Sequence, residues 1–264
     1  MITSLTNPQV KHVKRLHSQK SRQQAQHFIV EGLRLVEEAL RAVSVPALMF
    51  YTPRLDESAR GQALLALARE QAVQPTTVSE KVMRAMATTA TPQCVLAVLP
   101  QPATSWPQHP SLLLILDRLR DPGNLGSALR TAEAAGVDGV LTTPGTVDVY
   151  NPKTVRGGMG AHFWLKLRAA SWPEVERVVA GLQVWLAEPH GGQPYYEVDW
   201  SPPSALIVGG EAKGASAEAQ RLIRGQVYIP MSGQAESLNA AVAAGVILFE
   251  AARQRALAQK PLLC

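Results

Sequence analysis

The stretch DRLRDPGNLGSALRTAEAAGVDGV, residues 117–140, decides how the rest of the chain is interpreted. The apolar run Leu112–Leu116 precedes it, and such a run before a polar loop predicts a buried strand. A helix is predicted over Leu125–Ala135, and Asn124 stands where a helix-capping residue belongs. By itself the stretch indicates only a capped helix that carries a surface arginine, Arg130.

Alternating strands and helices continue through the C-terminal part. Further strands are predicted at Gly139–Thr142, Val184–Ala187, Ala205–Val208 and Val227–Ile229, and helices at Pro173–Gly181, Ala217–Arg224 and Ser237–Gln259. Because these strands are short and apolar, without polar alternation, we expect a parallel α/β sheet covered on both faces. Ligands in such sheets bind outside the carboxyl ends of the strands.

The loop GGEAKGAS, residues 209–216, follows one of these strands. Its glycines suggest a phosphate-binding P-loop, which requires a lysine directly after the last glycine. Ala215 occupies that position, so the sequence argues against nucleoside triphosphate binding. The glycines would still allow a backbone to approach a ligand closely.

A third loop, IPMSGQAESLN at residues 229–239, opens a long alanine-rich helix. Ser237 or Asn239 could serve there simply as helix caps.

Two other glycine-rich segments exclude functions rather than indicate them. His190-Gly191-Gly192 has no accompanying GxSxG motif, which argues against a serine hydrolase. Gly157-Gly158-Met159-Gly160 is not GxGxxG, which argues against a dinucleotide site.

The segment PQPATSWPQHP, residues 100–110, contains four prolines and no periodic pattern. It predicts a division into domains at residues 1–100 and 111–264, joined by a linker at residues 101–110. The first part is predicted to be a small α/β domain, with helices at Phe28–Val43 and Arg60–Gln71 and strands at Ala47–Tyr51 and Val95–Leu99.

The composition suits a folded chain, because 46% of its 264 residues are hydrophobic and only 18% are charged. No signal-peptide segment begins the sequence, and no apolar run approaches the roughly 20 residues that span a bilayer. We therefore expect a soluble cytoplasmic protein without a membrane partner. Cys94 and Cys264 have no neighbouring cysteine or histidine pattern, so no metal site is expected.

The N-terminal 30 residues are strongly basic in a chain of net charge +5. They contain no Asp or Glu, and their cationic residues are Lys11, Lys14, Arg15, Lys20 and Arg22. Such a segment is either the solvated face of helices or an arm that contacts nucleic-acid phosphates. The sequence alone leaves both interpretations open.

Taken together, three segments resemble the motifs of the SpoU (TrmH-like) branch of the SPOUT RNA methyltransferases. Residues 117–140 resemble the first motif, LIVGGEAKGAS at residues 206–216 the second, and VYIPMSGQAESLNAAVAAGVILFEAARQR at residues 227–255 the third. Their order and spacing match as well, over about residues 111–256. Upstream, HFIVEGLRLVEEAL at residues 27–40 is similar to the substrate-binding domain of many members.

The resemblance implies an α/β fold whose C-terminal part forms a deep trefoil knot, preceded by a small L30e-like domain that binds RNA. It also implies a homodimer and the methyl donor S-adenosylmethionine. The reaction would be methyl transfer to a ribose 2'-hydroxyl of structured RNA. Ribosomal RNA is favoured, transfer RNA is the alternative, and a catalytically silent RNA-binding protein is a further one.

The resemblance also assigns site residues by motif position. The catalytic set comprises Asn124, Arg130, Glu211, Ser237 and Asn239. The cofactor would contact Thr142, Thr143, Pro144, Gly209, Gly210, Gly214, Ile229, Met231, Ser237, Leu238 and Asn239. Gly210 departs from the family pattern, which often has Asn there. Arg130 would remove the hydroxyl proton, but a guanidinium normally stays protonated. We therefore expect Arg130 to position the hydroxyl and a nearby phosphate, and to accept the proton only in the assembled site.

Overall fold

The computed structural model describes residues 1–42, 44–102, 105–210 and 214–258. The chain forms two compact units. The first unit consists of residues 1–103 and 150–163, and the second of residues 104–149 and 164–264. Each unit is built around a sheet of its own.

The first unit contains four strands and six α-helices among its described residues. In chain order these are α1 (Pro8–Arg15), α2 (Gln19–Ala25), β1 (His27–Glu31), α3 (Leu33–Arg41), β2 (Leu48–Tyr51), α4 (Ala59–Glu70), β3 (Thr76–Thr77), α5 (Glu80–Met86) and β4 (Val95–Pro100), with α7 (Pro152–Gly158) joining them from later in the chain. The strand order is β1-β4-β2-β3, antiparallel except for the pairing of β2 with β3.

The predicted helix Phe28–Val43 is wrong in its first third, because residues 27–31 form β1. The spacing of its apolar residues fitted a helix, but every residue from Phe28 to Val30 is buried, which is the pattern of a strand covered on both faces. Phe28 packs with α3 and α4 on one face, and Ile29 packs with α1 and α5 on the other. Helix α3 covers Leu33–Arg41 of the segment.

Residues 150–163 lie in the first unit, although the division at the proline-rich segment assigned them to the second domain. Aromatic contacts hold them there. The Phe28 ring lies 4.9 Å from that of Tyr150 and 6.3 Å from that of His162, measured between centroids. Val155 of α7 belongs to the same apolar core. The proline-rich composition of residues 100–110 indicates one place where the chain passes from the first unit to the second. The return of residues 150–163 to the first unit depends on long-range packing, which leaves no pattern in the local sequence.

The second unit alternates strand and helix, with one continuous parallel sheet. Its elements are β5 (Leu112–Asp117), α6 (Pro122–Ala134), β6 (Gly139–Thr142), β7 (Leu167–Ala169), α8 (Trp172–Val179), β8 (Gln183–Ala187), β9 (Gln193–Pro194), β10 (Ser204–Gly209), α9 (Ala217–Leu222), β11 (Gly225–Tyr228) and α10 (Ala240–Ala258). The strand order is β7-β6-β5-β10-β8-β11-β9, and every pairing is parallel.

Helices cover both faces of this sheet, which confirms the predicted α/β class. Leu113 and Ile207 pack with α8 and α9 on one face. Leu114 and Val208, the alternate strand residues, are equally buried on the face where α10 contacts α6 and β10. The trefoil knot that the family resemblance implies stays a prediction. Within the described ranges, no helix combines the length and the apolarity needed to cross a membrane.

Candidate active site

A cavity of about 230 Å³ opens at the carboxyl ends of three adjacent strands of the second unit. Residues 187–189 line it where β8 ends, and residues 208–210 line it at the end of β10. The remaining wall runs from Val227 and Ile229 at the end of β11 to the first turns of α10. This is the edge of an open parallel sheet at which ligands are expected.

Most of the cavity wall is apolar, with carboxylates as its charged groups. Val208, Ile229 and Leu238 are typical of the aliphatic lining. Glu188 and Glu236 also line the cavity, while no described residue in the lining is basic. Such a cavity suits a flat apolar ring attached to a positively charged group. The Glu188 carboxylate is oriented by Gln220 of α9, whose Nε2 donates a hydrogen bond to it at 3.3 Å.

Two glycines of the second loop are required by close backbone contacts. A Cβ on Gly209 would lie 2.6 Å from the backbone nitrogen of Ala215, and a Cβ on Gly210 would overlap the backbone carbonyl oxygen of Arg118. The backbone N–H of Gly214 closes the loop by donating to the Gly210 carbonyl at 3.0 Å. Glycine at residues 209 and 210 therefore lets the end of β10 pack against two other backbone segments.

The first and third motifs meet through a pair of asparagines. Asn239 Nδ2 donates a hydrogen bond to Asn124 Oδ1 at 2.9 Å, across 115 positions of sequence. The Oδ1 of Asn239 accepts from the Ala241 N–H at 2.9 Å, so Asn239 caps α10 and its amide group is fixed in orientation. The neighbouring residues Leu238 and Ala240 line the cavity.

The cap of α6 is not Asn124, as the sequence suggested, but Asp121. The Asp121 side chain accepts a hydrogen bond from the Asn124 N–H at 2.8 Å, with Pro122 in the first turn. Asn124 is therefore inside the helix, which leaves its side chain to contact Asn239. The third-motif helix likewise begins later than predicted, at Ala240, so Ser237 precedes it and lines the cavity.

Arg130 lies on the exposed surface of α6. None of the described residues forms a hydrogen bond or an ion pair with its guanidinium. Helix α6 itself is held against α10, and the fit is close: a Cβ on Gly245 would lie 3.2 Å from Cγ2 of Thr131, the neighbour of Arg130. Gly245 thus lets α10 approach α6 closely, while the Arg130 side chain is accessible to solvent.

The structure gathers most of the expected cofactor residues around the cavity. Those that line it are Gly209, Gly210, Gly214, Ile229, Met231, Ser237 and Leu238. Glu211 lies outside the described residues. Residues 187–189 were not predicted from the sequence. They could have been, because β8 is predicted as a strand of the same parallel sheet and the loop after it lies at the carboxyl ends of the strands, where ligands bind.

Thr142, Thr143 and Pro144 are outside the described lining of the cavity. They follow β6, which β5 separates from β10 in the sheet. Thr142 and Thr143 are buried, and Pro144 is exposed to solvent. The Thr143 hydroxyl donates a hydrogen bond to Asp117 at 2.6 Å, so this residue contacts the end of β5 and does not itself line the cavity.

The basic N-terminal segment folds into α1 and α2 of the first unit. Lys11, Lys14, Arg15 and Lys20 are exposed on these helices. Arg22 is only 2% exposed, and its Nη1 donates to the carbonyls of Leu16 and His17 at 2.8 and 2.9 Å. The expectation that Arg22 contacts RNA is therefore wrong, because its guanidinium is buried and donates hydrogen bonds to the segment between α1 and α2.

One histidine of these helices, His12, adds little positive charge to them. Burial lowers the pKa of His12, and the charges of His27 and Arg15 lower it further. The His12 and His27 rings stand edge to face with centroids 6.0 Å apart. His12 is thus largely neutral near pH 7. In the described part of the chain, no group of three or more His, Cys, Asp or Glu side chains could hold a metal ion.

Two family models match the chain, one for each expected part. The model for the SpoU rRNA Methylase family matches residues 111–249, which is more than half of the chain. The model for an MRM3-like substrate binding domain matches residues 7–97. The matched ranges lie on either side of the proline-rich segment, and they agree with the two sets of motifs quoted from the sequence.

Individual relatives span nearly the whole chain. An uncharacterized tRNA/rRNA methyltransferase of Synechocystis is 38% identical and covers 98% of this chain and 96% of its own. The 23S rRNA (guanosine(2553)-2'-O)-methyltransferase RlmP of Bacillus subtilis is 37% identical over 94% of this chain and 97% of its own. The crystal structure of an AdoMet-bound rRNA methyltransferase from Sinorhizobium meliloti superposes with a TM-score of 0.82 and 34% identity, covering 96% and 97% of the two chains.

Proposed function

The chain belongs to the SpoU rRNA methylase family, and we propose that it transfers a methyl group from S-adenosylmethionine to a ribose 2'-hydroxyl of ribosomal RNA. The observation that carries the proposal is the hydrogen bond between Asn124 and Asn239. It brings the first motif to the third at the start of α10, where Leu238 and Ala240 line the cavity.

The cavity offers what the adenosyl part of the methyl donor requires. Aliphatic side chains such as Val208, Ile229 and Leu238 would pack against the adenine ring, and the backbone at Gly209 and Met231 would supply polar contacts. Glu188 and Glu236 favour a positively charged ligand over a neutral one. When bound, S-adenosylmethionine supplies a methyl group on a positively charged sulfur, which makes that carbon electrophilic.

Orientation is the main contribution expected from the protein, since the methyl group is already activated. The Asn124–Asn239 pair fixes α6 relative to the start of α10 and so sets where Arg130 projects. Arg130 would bind the phosphate next to the target ribose and hold the 2'-hydroxyl in line with the methyl group. A guanidinium donates hydrogen bonds and normally retains its proton, so positioning is the role we assign to it.

Substituting Arg130 tests this role. Arg130→Ala should abolish methyl transfer while the dissociation constant for S-adenosylmethionine, measured by calorimetry, stays within about twofold, because this side chain is exposed and outside the described cavity lining. Arg221→Ala, on the exposed face of α9, is the matched control and should retain activity. Loss of cofactor binding in Arg130→Ala would instead show a structural role for this arginine.

The substrate is tested with labelled S-adenosylmethionine and separated fractions of ribosomal and transfer RNA. Ribose methylation makes the neighbouring phosphodiester resistant to alkali, so label in alkali-resistant dinucleotides of ribosomal RNA is the expected result. Label confined to transfer RNA would support the alternative substrate, and label on bases would contradict the proposed reaction. Cofactor binding without any transfer would support a silent RNA-binding protein.

A ribosomal substrate fits the cytoplasmic location expected from the sequence.

The exposed cations of α1 and α2 are the proposed contacts to the RNA backbone. Phosphate contacts give affinity that falls with salt and depends little on sequence. Lys14→Ala should therefore weaken RNA binding at all sequences and reduce the salt dependence by about one counterion. Glu57→Gln, an exposed charge change elsewhere in the same unit, serves as the control.

A homodimer is part of the proposal, with α10 of a second copy as the partner surface. Val242 and Phe249 are each 51% exposed and lie two helical turns apart on the same side of α10. Exposed apolar residues in such a row are typical of a helix that packs against another surface. Phe249→Glu should convert a dimer to a monomer in sedimentation experiments, and a wild-type monomer would contradict this part of the proposal.

A further inference from the structure

Asp117, the last residue of β5, carries a carboxylate that is completely buried. Its Oδ1 accepts a hydrogen bond from the Thr143 hydroxyl, and its Oδ2 accepts one from the backbone N–H of Ser216, both at 2.6 Å. The Arg118 Nε lies 3.9 Å from Oδ1. A buried carboxylate is costly unless such donors satisfy it, so these contacts are what keeps the charge at this place.

The two donors belong to segments that are distant in sequence. Thr143 follows β6, while Ser216 ends the second-motif loop, 99 positions from Asp117. Gly214 and Ala215, which immediately precede Ser216, line the cavity. The Ser216 hydroxyl in turn accepts from the Ala219 N–H at 3.2 Å and caps α9. One carboxylate therefore fixes the position of a cavity wall and of the helix that follows it.

From this geometry we propose that Asp117 is a positioning residue for the methyl-donor site. The inference rests on the proposed function, because it assigns the cavity to S-adenosylmethionine. Asp117 is not among the described residues that line the cavity, so it acts through the backbone of residues 214–216. Thr143 takes part in the same hydrogen-bond network, because its hydroxyl donates to one carboxylate oxygen of Asp117 and so directs the other oxygen towards Ser216.

Substitutions of both partners test the inference. Asp117→Asn keeps the size of the side chain but removes the carboxylate, so the hydrogen bond from the Ser216 N–H is either lost to an NH₂ group or kept only as a weaker bond to a neutral amide oxygen, with the NH₂ turned to the Thr143 hydroxyl. The dissociation constant and the KM for S-adenosylmethionine should rise about tenfold, as expected for one lost charge-assisted hydrogen bond. The KM for RNA and the kcat at saturating cofactor should stay within about twofold, which a general loss of folding would not produce.

A matched pair at Thr143 covers the case in which Asp117→Asn does not fold. Thr143→Val removes the hydroxyl and should raise the KM for the cofactor severalfold, whereas Thr143→Ser keeps the hydroxyl and should restore the wild-type value. Equal cofactor affinity in the two Thr143 variants would overturn the inference. So would a folded Asp117→Asn protein with unchanged affinity. A wild-type protein that binds no S-adenosylmethionine would instead overturn the proposed function itself.

Discussion

Strand β1 of the first unit and strand β5 of the second unit end in the same way. Each finishes on a buried carboxylate, Glu31 in β1 and Asp117 in β5, and each carboxylate accepts hydrogen bonds from residues far along the chain. The next residue has a left-handed backbone in both cases: φ is +106° at Gly32 and +57° at Arg118. The two ends differ in what the carboxylate holds and in which residue takes the left-handed turn.

Glu31 holds a loop of the first unit itself. Its oxygens accept from the backbone N–H groups of Thr88 and Gln93, at 2.9 and 3.2 Å, and from the hydroxyls of Thr88 and Thr89. Arg156 extends this network by donating to the Thr88 hydroxyl at 2.8 Å. Asp117 instead holds residues 214–216, two of which line the cavity of the second unit. The same arrangement of a buried carboxylate therefore holds a loop of the fold in one unit and, in our proposal, shapes the methyl-donor site in the other.

The largest effect should come from the loop that Asp117 holds. Gly210→Ala would place a methyl group against the carbonyl oxygen of Arg118, which is backbone and cannot move aside. We expect the loop to shift and the affinity for S-adenosylmethionine to fall about 10- to 100-fold, which corresponds to roughly 1–3 kcal/mol of overpacking. Calorimetric titration measures this change.

Gly233→Ala is the control for that substitution, because Gly233 has open space around the site of a Cβ and no left-handed backbone. It should bind the cofactor like the wild type. If the two variants bound the cofactor equally well, the close approach of the loop to the end of β5 would not matter for the site.

Much of the second unit could be predicted from local patterns. Gly139–Thr142 was predicted with its observed bounds, since a short apolar strand between turn residues has a clear signal. The strands β7 and β9 were missed because they have only three and two residues. Helix α7 was missed because its sequence, PKTVRGG, contains two glycines and little apolar pattern. It is stabilised by packing in the first unit.

Part of the membership of the candidate site was predictable from the sequence, but its connections were not. The order of the motifs, together with the rule that ligands bind at the carboxyl ends of parallel strands, predicts that Gly209, Ile229 and Leu238 lie at one cavity. Neither predicts that Asp117 bonds to Ser216, since any buried polar residue could find a partner elsewhere. For Arg22 the sequence prediction was wrong in the other direction. Its charge predicted an exposed side chain, but hydrogen bonds to two backbone carbonyl groups make a buried position favourable.

At the other strand end, Glu31→Gln should reduce stability and leave cofactor binding unchanged. The amide keeps one acceptor but presents N–H groups to donors of the loop, so the free energy of unfolding should fall by about 2 kcal/mol. Urea unfolding measures this loss, and calorimetry should show unchanged affinity for S-adenosylmethionine in the folded variant. A weakened cofactor affinity would contradict the separation of roles between the two carboxylates.

The pH dependence of that difference gives a second check. Burial alone would raise the pKa of Glu31, but the hydrogen bonds from Thr89, Thr88 and Gln93 outweigh it and lower the pKa below its ordinary value. The stabilisation is therefore fully present above the pKa of the unfolded chain, about 4.3, and is lost as the pH falls through the folded value. The stability difference between wild type and Glu31→Gln should begin to shrink as the pH falls below the unfolded value of about 4.3 and should continue to shrink through the lower folded value, and a constant difference would show that ionisation of Glu31 is not its source.

The smallest effect concerns the left-handed residue after each carboxylate. Glycine adopts a positive φ without steric cost, whereas an arginine there brings its Cβ close to the following carbonyl, at about 1–2 kcal/mol. Arg118→Gly and Arg118→Ala both remove the side chain, including its 3.4 Å hydrogen bond to the Gly214 carbonyl, but only the first relieves the backbone. Arg118→Gly should therefore be more stable than Arg118→Ala by about 1 kcal/mol in urea unfolding.

Gly32→Ala reverses the experiment in the first unit. The nearest atom to an added Cβ is Gln93 Cγ at 3.5 Å, so space is sufficient and only the backbone angle opposes the substitution. The variant should lose about 1 kcal/mol, the counterpart of the gain at Arg118. Equal and opposite shifts would show that both strand ends have the same backbone requirement, and that β5 alone meets it with a strained residue. If Arg118→Gly were no more stable than Arg118→Ala, the left-handed backbone at β5 would store no strain, and the likeness between the two ends would stop at their carboxylates.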